Sequence, residues 1–242
     1  MEKAVYDKRL TQELKQTAFR NHVDLIGVTD LRVFEDIPIK DRPMRILSDA
    51  KAVVVYAVKY KGAGYLFKES WYRQMEKLLT HIDKKLREFL TEKGYKAHSF
   101  LRANKPRYLY EEINTRPFID VSQVRPGRWH RVYYRLHDAA VSAGLGRVGK
   151  NSLLIIPQYG PNVYLSMIIT DAPLEPDAPS DEDPCADCNL CLEACSRGAL
   201  NGRGHPDRDK CEPMECHFAC LSVCHQKFLK QQHQVADRQN SP

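Results

Sequence analysis

The sequence predicts a mixed α/β domain followed by a small cysteine-rich module, and three observations carry that prediction. Through the first 170 residues, stretches whose apolar residues recur at helical spacing alternate with short β-branched runs. All eight cysteines fall between Cys185 and Cys224. Between the two regions lies DAPLEPDAPSDEDP, residues 171–184, whose four prolines and six acids favour extended, solvated backbone over helix or strand. The expected organisation is a domain over 1–172, a linker over 173–184, a cysteine module over 185–226 and a polar, fraying tail over 227–242.

Each element has its own signal. Residues 4–22 set Val5, Leu10, Leu14, Ala18 and Phe19 near helical spacing, and DLIGVTDL at 24–31 reads as a short strand. KAVVVYAVKY, residues 51–60, is β-branched and too short for a buried helix, which makes it a central strand. Trp71, Met75, Leu78, Leu79, Ile82, Leu86, Phe89 and Leu90 line one face of a long helix over 71–93 that ends near Gly94. A further helix is predicted over 131–143. SLLIIP (152–157) and NVYLSMIIT (162–170) then flank QYGPN as a pair of strands around a turn.

Composition limits the function classes. Of the 242 residues, 28% are charged and 43% hydrophobic, and no run approaches the ~18 apolar residues of a membrane span. No membrane partner is expected. The N-terminus, MEKAVYDKRLTQELKQ, lacks the apolar centre of a signal peptide, so a cytoplasmic address is expected. Residues 179–242 hold 10 Asp/Glu against 7 Lys/Arg, while residues 1–178 hold 30 basic against 21 acidic residues.

The cysteines carry the strongest chemical signal. Cys185-x2-Cys188-x2-Cys191-x3-Cys195 is the bacterial ferredoxin run, in which three thiolates grip one 4Fe–4S cube and the fourth serves another. Cys211, Cys216, Cys220 and Cys224 supply four more, so eight thiolates match two cubes. The ferredoxin pattern assigns Cys185, Cys188, Cys191 and Cys224 to a first cluster and Cys195, Cys211, Cys216 and Cys220 to a second. Two features depart from it: Ser196 and His225 stand where proline usually follows, and Cys216-x3-Cys220 is one residue looser than C-x-x-C. Two structural zincs are the alternative, although zinc favours C-x-x-C knuckles separated by longer loops. Each oxidised cube with its thiolates carries about −2, so two would offset most of the formal +6 charge.

GLGRVGKNSLLI, residues 144–155, mimics two phosphate-binding loops. A dinucleotide loop needs a strand before its glycines and a helix after them, and here the order is inverted. A triphosphate loop needs a hydroxyl where Asn151 stands. The plain alternative is a helix C-terminus entering a strand, with Gly144 or Gly146 in the left-handed cap conformation.

These segments resemble the epoxyqueuosine reductases and their relatives. AGLGRVGKNSLLIIPQYGPNVYLSMIITDAPLEPD (143–177) is similar to that family's entry into its cluster module, and DLIGVTDL and KAVVVYAV to its early strands. The resemblance implies a cobalamin-binding domain of nitroreductase-like α/β fold followed by a small ferredoxin-like double 4Fe–4S domain. It further implies single electrons passing through the clusters to a bound corrinoid. By the same resemblance Gly144, Gly146, Gly149, Lys150 and Asn151 approach the corrinoid, and RPFID sets Asp120 on the family's catalytic aspartate, an acid for the leaving oxygen or product. The implied donor is low in potential, such as a ferredoxin or flavodoxin, and a corrinoid protein is a further possible partner. tRNA is a doubtful partner, because YKGAGYLFKESWYR (60–73) departs from the family's tyrosine-, arginine- and histidine-bearing segment and the chain stops at Pro242, short of the family's helical repeats. Two other readings stay open: a corrinoid-reactivating electron-transfer protein with no organic substrate, and a ferredoxin-like carrier without corrinoid.

Overall fold

A computed structural model describes residues 5–35, 47–59, 69–99, 129–204, 206–207, 209–211, 215–216 and 218–239. Along the chain run α1 (Lys8–Arg20), β1 (Leu25–Thr29), β2 (Ala52–Lys59), α2 (Glu69–Glu92), β3 (Ala97–Ser99), α3 (Trp129–Ser142), β4 (Arg147–Val148), β5 (Leu154–Ile155), β6 (Val163–Thr170), α4 (Leu190–Glu193) and α5 (Ala219–Gln239). They gather into two compact units. The first holds Met1–Val58, Arg73–Leu145 and Leu165–Pro179, and the second holds Lys59–Tyr72, Gly146–Tyr164 and Ser180–Pro242.

The first unit is built on a four-stranded sheet in the order β1-β2-β6-β3. β1 pairs antiparallel with β2, Leu25 opposite Ala57, and β3 pairs antiparallel with β6, Ala97 opposite Thr170. All residues of β2 before Lys59 are buried, as a strand covered on both faces requires. α2 contributes Met75, Leu79, Ile82, Leu86 and Leu90 to the core, and its fully buried Asp83 accepts from Arg87 Nε at 2.7 Å. α1 starts at Asp7, whose carboxylate accepts the Leu10 amide at 2.8 Å, and buries Leu10, Leu14 and Ala18. Val5 is 87% exposed and Phe19 54%, because the helix begins beyond Val5 and turns Phe19 outward.

Three sequence expectations are revised. The strands expected as a hairpin around QYGPN do not pair: β5 pairs with β4, Leu154 opposite Val148, while β6 enters the large sheet. β6 is buried continuously from Leu165 to Thr170, and a strand so enclosed takes a partner on each edge. The proline-rich stretch is extended but not solvated in its first half. Pro173 O accepts the Asp7 amide at 2.7 Å, Leu174 is buried, and Asp177 receives Lys15 Nζ at 2.5 Å and the Val28 amide at 2.8 Å. Its acids find donors on the first unit, which straps 171–179 down. The described part of the polar tail is helical: α5 continues to Gln239, since QKFLKQQHQVADRQ has no glycine or proline and is rich in helix formers. Among the described residues no helix is long and apolar enough to cross a membrane.

Candidate metal centre

The glycine-bearing loop follows α3 and precedes β4, the inverse of a dinucleotide fingerprint. Gly144 has φ +75°, and the amides of Gly144 and Leu145 reach back to Val141 O at 3.0 Å and Ala140 O at 2.9 Å. This is a Schellman cap, which satisfies two helix-end carbonyls and needs a residue without Cβ. A Cβ there would also meet Ala178 O at 2.4 Å. Gly144 thus ends a helix of the first unit, while Gly146, Gly149, Lys150 and Asn151 belong to the second unit together with all eight cysteines.

Within the second unit β4 and β5 are joined by a tight turn. The Gly149 amide bonds to Leu153 O at 2.8 Å, the Ser152 amide to Gly149 O at 2.9 Å, and Ser152 takes φ 65°. Gly146 lies against the Ile155 carbonyl, and a Cβ on Gly149 would stand 3.1 Å from Cys185 Sγ. The room left by these glycines is filled by the protein's own atoms.

The side chains of that turn fan out to three parts of the cysteine segment. Lys150 Nζ donates to Ala186 O at 3.3 Å, Cys188 O at 3.1 Å and Asn189 Oδ1 at 2.9 Å, inside the first cysteine loop. Asn151 Nδ2 reaches Cys220 O on α5 at 3.5 Å, while its Oδ1 accepts the Leu153 amide at 3.2 Å. Ser152 Oγ donates to Gly204 O at 2.6 Å, on the loop between the two cysteine groups. The sequence singles out Lys150 and Asn151 for a corrinoid; the structure gives their polar atoms to the cysteine loops. It missed Ser152, since a buried hydroxyl closing a loop has no pattern of its own.

Four of the thiols gather in one place. Cys185, Cys188, Cys191 and Cys224 line one recess together with Asn151, Pro184, Leu190, Lys227 and Phe228. Burial pushes the Cys224 thiol up to about 12, helped by the neighbouring Cys185, Cys191 and Cys188 and opposed by a hydrogen bond from Asn151. Burial likewise raises Cys220 to about 11, with Cys216, Cys191 and Cys211 adding to it and the Leu221 amide opposing. Cys195 Sγ accepts the Ala199 amide at 3.3 Å. Cys220 and Cys224 lie one turn apart on the same face of α5, four residues being close to one helical turn, while Cys216 precedes the helix. Both thiols are carried by one helix, and α4, which carries Cys191, packs on α5.

This donor set fits two 4Fe–4S cubes. Crowded, partly buried thiols that raise one another's pKa become thiolates only when a compensating positive group draws off their protons, which is what iron supplies. Among the described residues no three His, Cys, Asp or Glu converge tightly enough for a single metal ion. Next along α5, His225 Nδ1 hydrogen-bonds Asn162 Oδ1, and Phe228 packs against Gly160. Both contacts fix α5 just past Cys224. Asp120 lies outside the described residues.

An α/β domain with a double-cluster module defines an iron–sulfur oxidoreductase class, and comparison with known proteins narrows it. Epoxyqueuosine reductase of Bacillus subtilis (strain 168) is 30% identical over 239 residues, covering 84% of this chain and 54% of that one. Epoxyqueuosine reductase of Listeria monocytogenes is 52% identical over 71 residues, covering 28% of this chain and 18% of that one. A structure of epoxyqueuosine reductase with an epoxyqueuosine-modified tRNA-Tyr stem loop superimposes with TM-score 0.57 at 24% identity, covering 84% of this chain and 56% of that one. A catabolic reductive dehalogenase in complex with 3-bromo-4-hydroxybenzoic acid shares the fold, with TM-score 0.58 at 18% identity over 84% of this chain and 29% of that one. No family model matches. The chain belongs to the epoxyqueuosine reductase-like family, and it spans about half the length of the curated relatives it matches.

Proposed function

We propose that the chain is an iron–sulfur oxidoreductase that passes single electrons through two 4Fe–4S clusters to a bound corrinoid for reductive chemistry. The observation that carries this reading is the gathering of Cys185, Cys188, Cys191 and Cys224 around one recess, while Cys220 on the same helix lies near Cys216, Cys191 and Cys211. Two sets sharing one helix form a relay of neighbouring centres. The family's cofactors, cobalamin and two cubes, supply what the polypeptide lacks. A corrinoid, when bound, provides a strongly reducing centre that needs electrons one at a time at low potential.

The chain's own residues supply the rest. The eight thiolates hold the cubes, and the 149–152 turn fixes their loops through Lys150, Asn151 and Ser152. Asp120 is proposed as the acid whose carboxyl proton goes to the leaving oxygen. Contact between a corrinoid and Gly144, Gly146, Gly149 or Asn151 would run through backbone atoms, because Lys150 spends its donors on 186–189. The relatives are named for epoxyqueuosine and one is solved with a tRNA stem loop, which makes epoxyqueuosine-modified tRNA the first substrate to test. That weighs against the earlier expectation of tRNA as a doubtful partner.

The test is anaerobic purification with iron, sulfide and cobalamin quantitation, followed by turnover of an epoxyqueuosine-bearing stem loop with reduced ferredoxin or flavodoxin. Expected are about eight irons per chain, bound cobalamin and loss of the epoxide oxygen, with Asp120→Asn depressing turnover far more than cobalamin binding. Zinc in place of iron, or about four irons after full reconstitution, would overturn the two-cube reading. Cobalamin reduction without stem-loop conversion would transfer the assignment to a corrinoid-reactivating protein.

A further inference from the structure

The two cysteine sets differ in the cations beside them. Lys150 is seated within the first cysteine loop on three neutral acceptors, Ala186 O, Cys188 O and Asn189 Oδ1. Lys227 lines the recess of Cys185, Cys188, Cys191 and Cys224, and its ammonium rests on Pro184 O at 3.4 Å and over the Phe228 ring at 5.5 Å. Neither ammonium is ion-paired with a carboxylate among the described residues. Two cations of the second region are paired with carboxylates. Arg197 pairs with Glu215, beside Cys216, at 2.5 Å, and Lys210, beside Cys211, pairs with Asp207 at 3.2 Å.

Reduction adds one negative charge to a cube, so a nearby cation stabilises the reduced form and raises the potential, whereas a cation already paired with a carboxylate contributes little net charge. Partial burial strengthens the effect, because fields are screened less away from bulk water.

We propose that Lys150 and Lys227 set the potential of the cluster held by Cys185, Cys188, Cys191 and Cys224, making it the higher-potential member of the pair and the point at which electrons collect. An electron supplied to either cube by a low-potential ferredoxin or flavodoxin would come to rest on the one held by Cys185, Cys188, Cys191 and Cys224, the donor being oxidised by one electron, with no proton moved. The inference rests on the two-cube reading above.

The test is an EPR-monitored redox titration of the reconstituted full chain, with the first cluster identified as the one whose signal Cys224→Ser alters. In the unmodified chain the first cluster is expected to reduce at the higher potential. Lys227→Gln and Lys150→Gln should each lower that potential and leave the second unmoved, and Lys227→Arg should restore it. Lys227 is half-buried on α5, outside the 149–152 turn, so its variant keeps the test open if Lys150→Gln disturbs assembly. The proposal is overturned if the first cluster proves the lower of the two, or if Lys227→Gln, loaded with about eight irons, leaves both potentials unchanged or shifts both equally. A wild-type chain that does not load two cubes is a different result, since it fails the underlying reading before any titration begins.

Discussion

At the residue scale, Cys195 and Cys224 are the most informative positions, because the ferredoxin pattern assigns each to the cluster of the other cysteine group. Cys224 ends the second group in sequence yet lines the recess of the first. Cys224→Ala should therefore cost the first cluster. Cys195→Ala should cost the second, each leaving about four irons per chain, read by iron analysis and the loss of one of two EPR signals. Loss of the same cluster in both variants would refute the crossed assignment. Gly144 makes a different prediction. Alanine there must hold φ near +75° and meet Ala178 O at 2.4 Å, so Gly144→Ala should destabilise the first unit by about 2–4 kcal/mol, measured by denaturant unfolding with iron content unchanged.

At the scale of elements, the signals that were legible are those with a local physical cause. β2 could be read because a central strand tolerates only apolar residues, and α2 because its buried face repeats and Gly94 (φ +87°) stops it with the same cap that ends α3. β4 and β5 were not legible as a pair, since two residues each give no period. The role of Lys150 was half legible: a lysine after three glycines marks close packing, but not what is packed against it. The proposed metal ligands stand out in the sequence because thiolate spacing in such runs is set by the cluster itself, while Lys227 lies in a polar stretch that carries no site signal.

The third helix carries an electrostatic consequence. His137 is buried to 2% exposure on α3, and burial pushes its pKa down to about 4. It stays neutral in the folded state but takes a proton near pH 6.5 once unfolded. The stability it permits is complete above about pH 6.5 and drains away as pH falls toward about 4, by roughly 3 kcal/mol at most. Urea unfolding of the first unit at pH 7 and pH 4.5 should show that decline, and His137→Gln should flatten it. An equal decline in both proteins would assign the acid sensitivity to other groups.

At the scale of the whole molecule, the two units draw on different sources of stability. The first has a sheet with a strand buried on both faces and the apolar face of a 24-residue helix against it, enough hydrophobic burial to fold without a metal. The second has two short paired strands, a one-turn helix and the 21-residue α5, and among the described residues its buried apolar side chains are few: Leu154, Ile155, Ile156, Ala199 and Phe228 beside Cys191. Small, loop-rich units of this kind take their folding energy from the metal, because ligands that repel one another as bare thiolates are drawn together only when iron binds. Removing iron with a chelator under reducing conditions should therefore unfold the second unit and spare the first. Hydrogen exchange resolves the two: amides of α5 and of 146–164 should lose protection on chelation, while those of β2 and α2 keep theirs. The strap over 171–179 belongs to the first unit, where Asp177 holds Lys15 and the Val28 amide, so the loss of protection should begin beyond Pro179. Retained protection across α5 in the iron-free chain would show that the cysteine unit folds on its own core, and would remove the coupling between metal and fold from which this prediction is drawn.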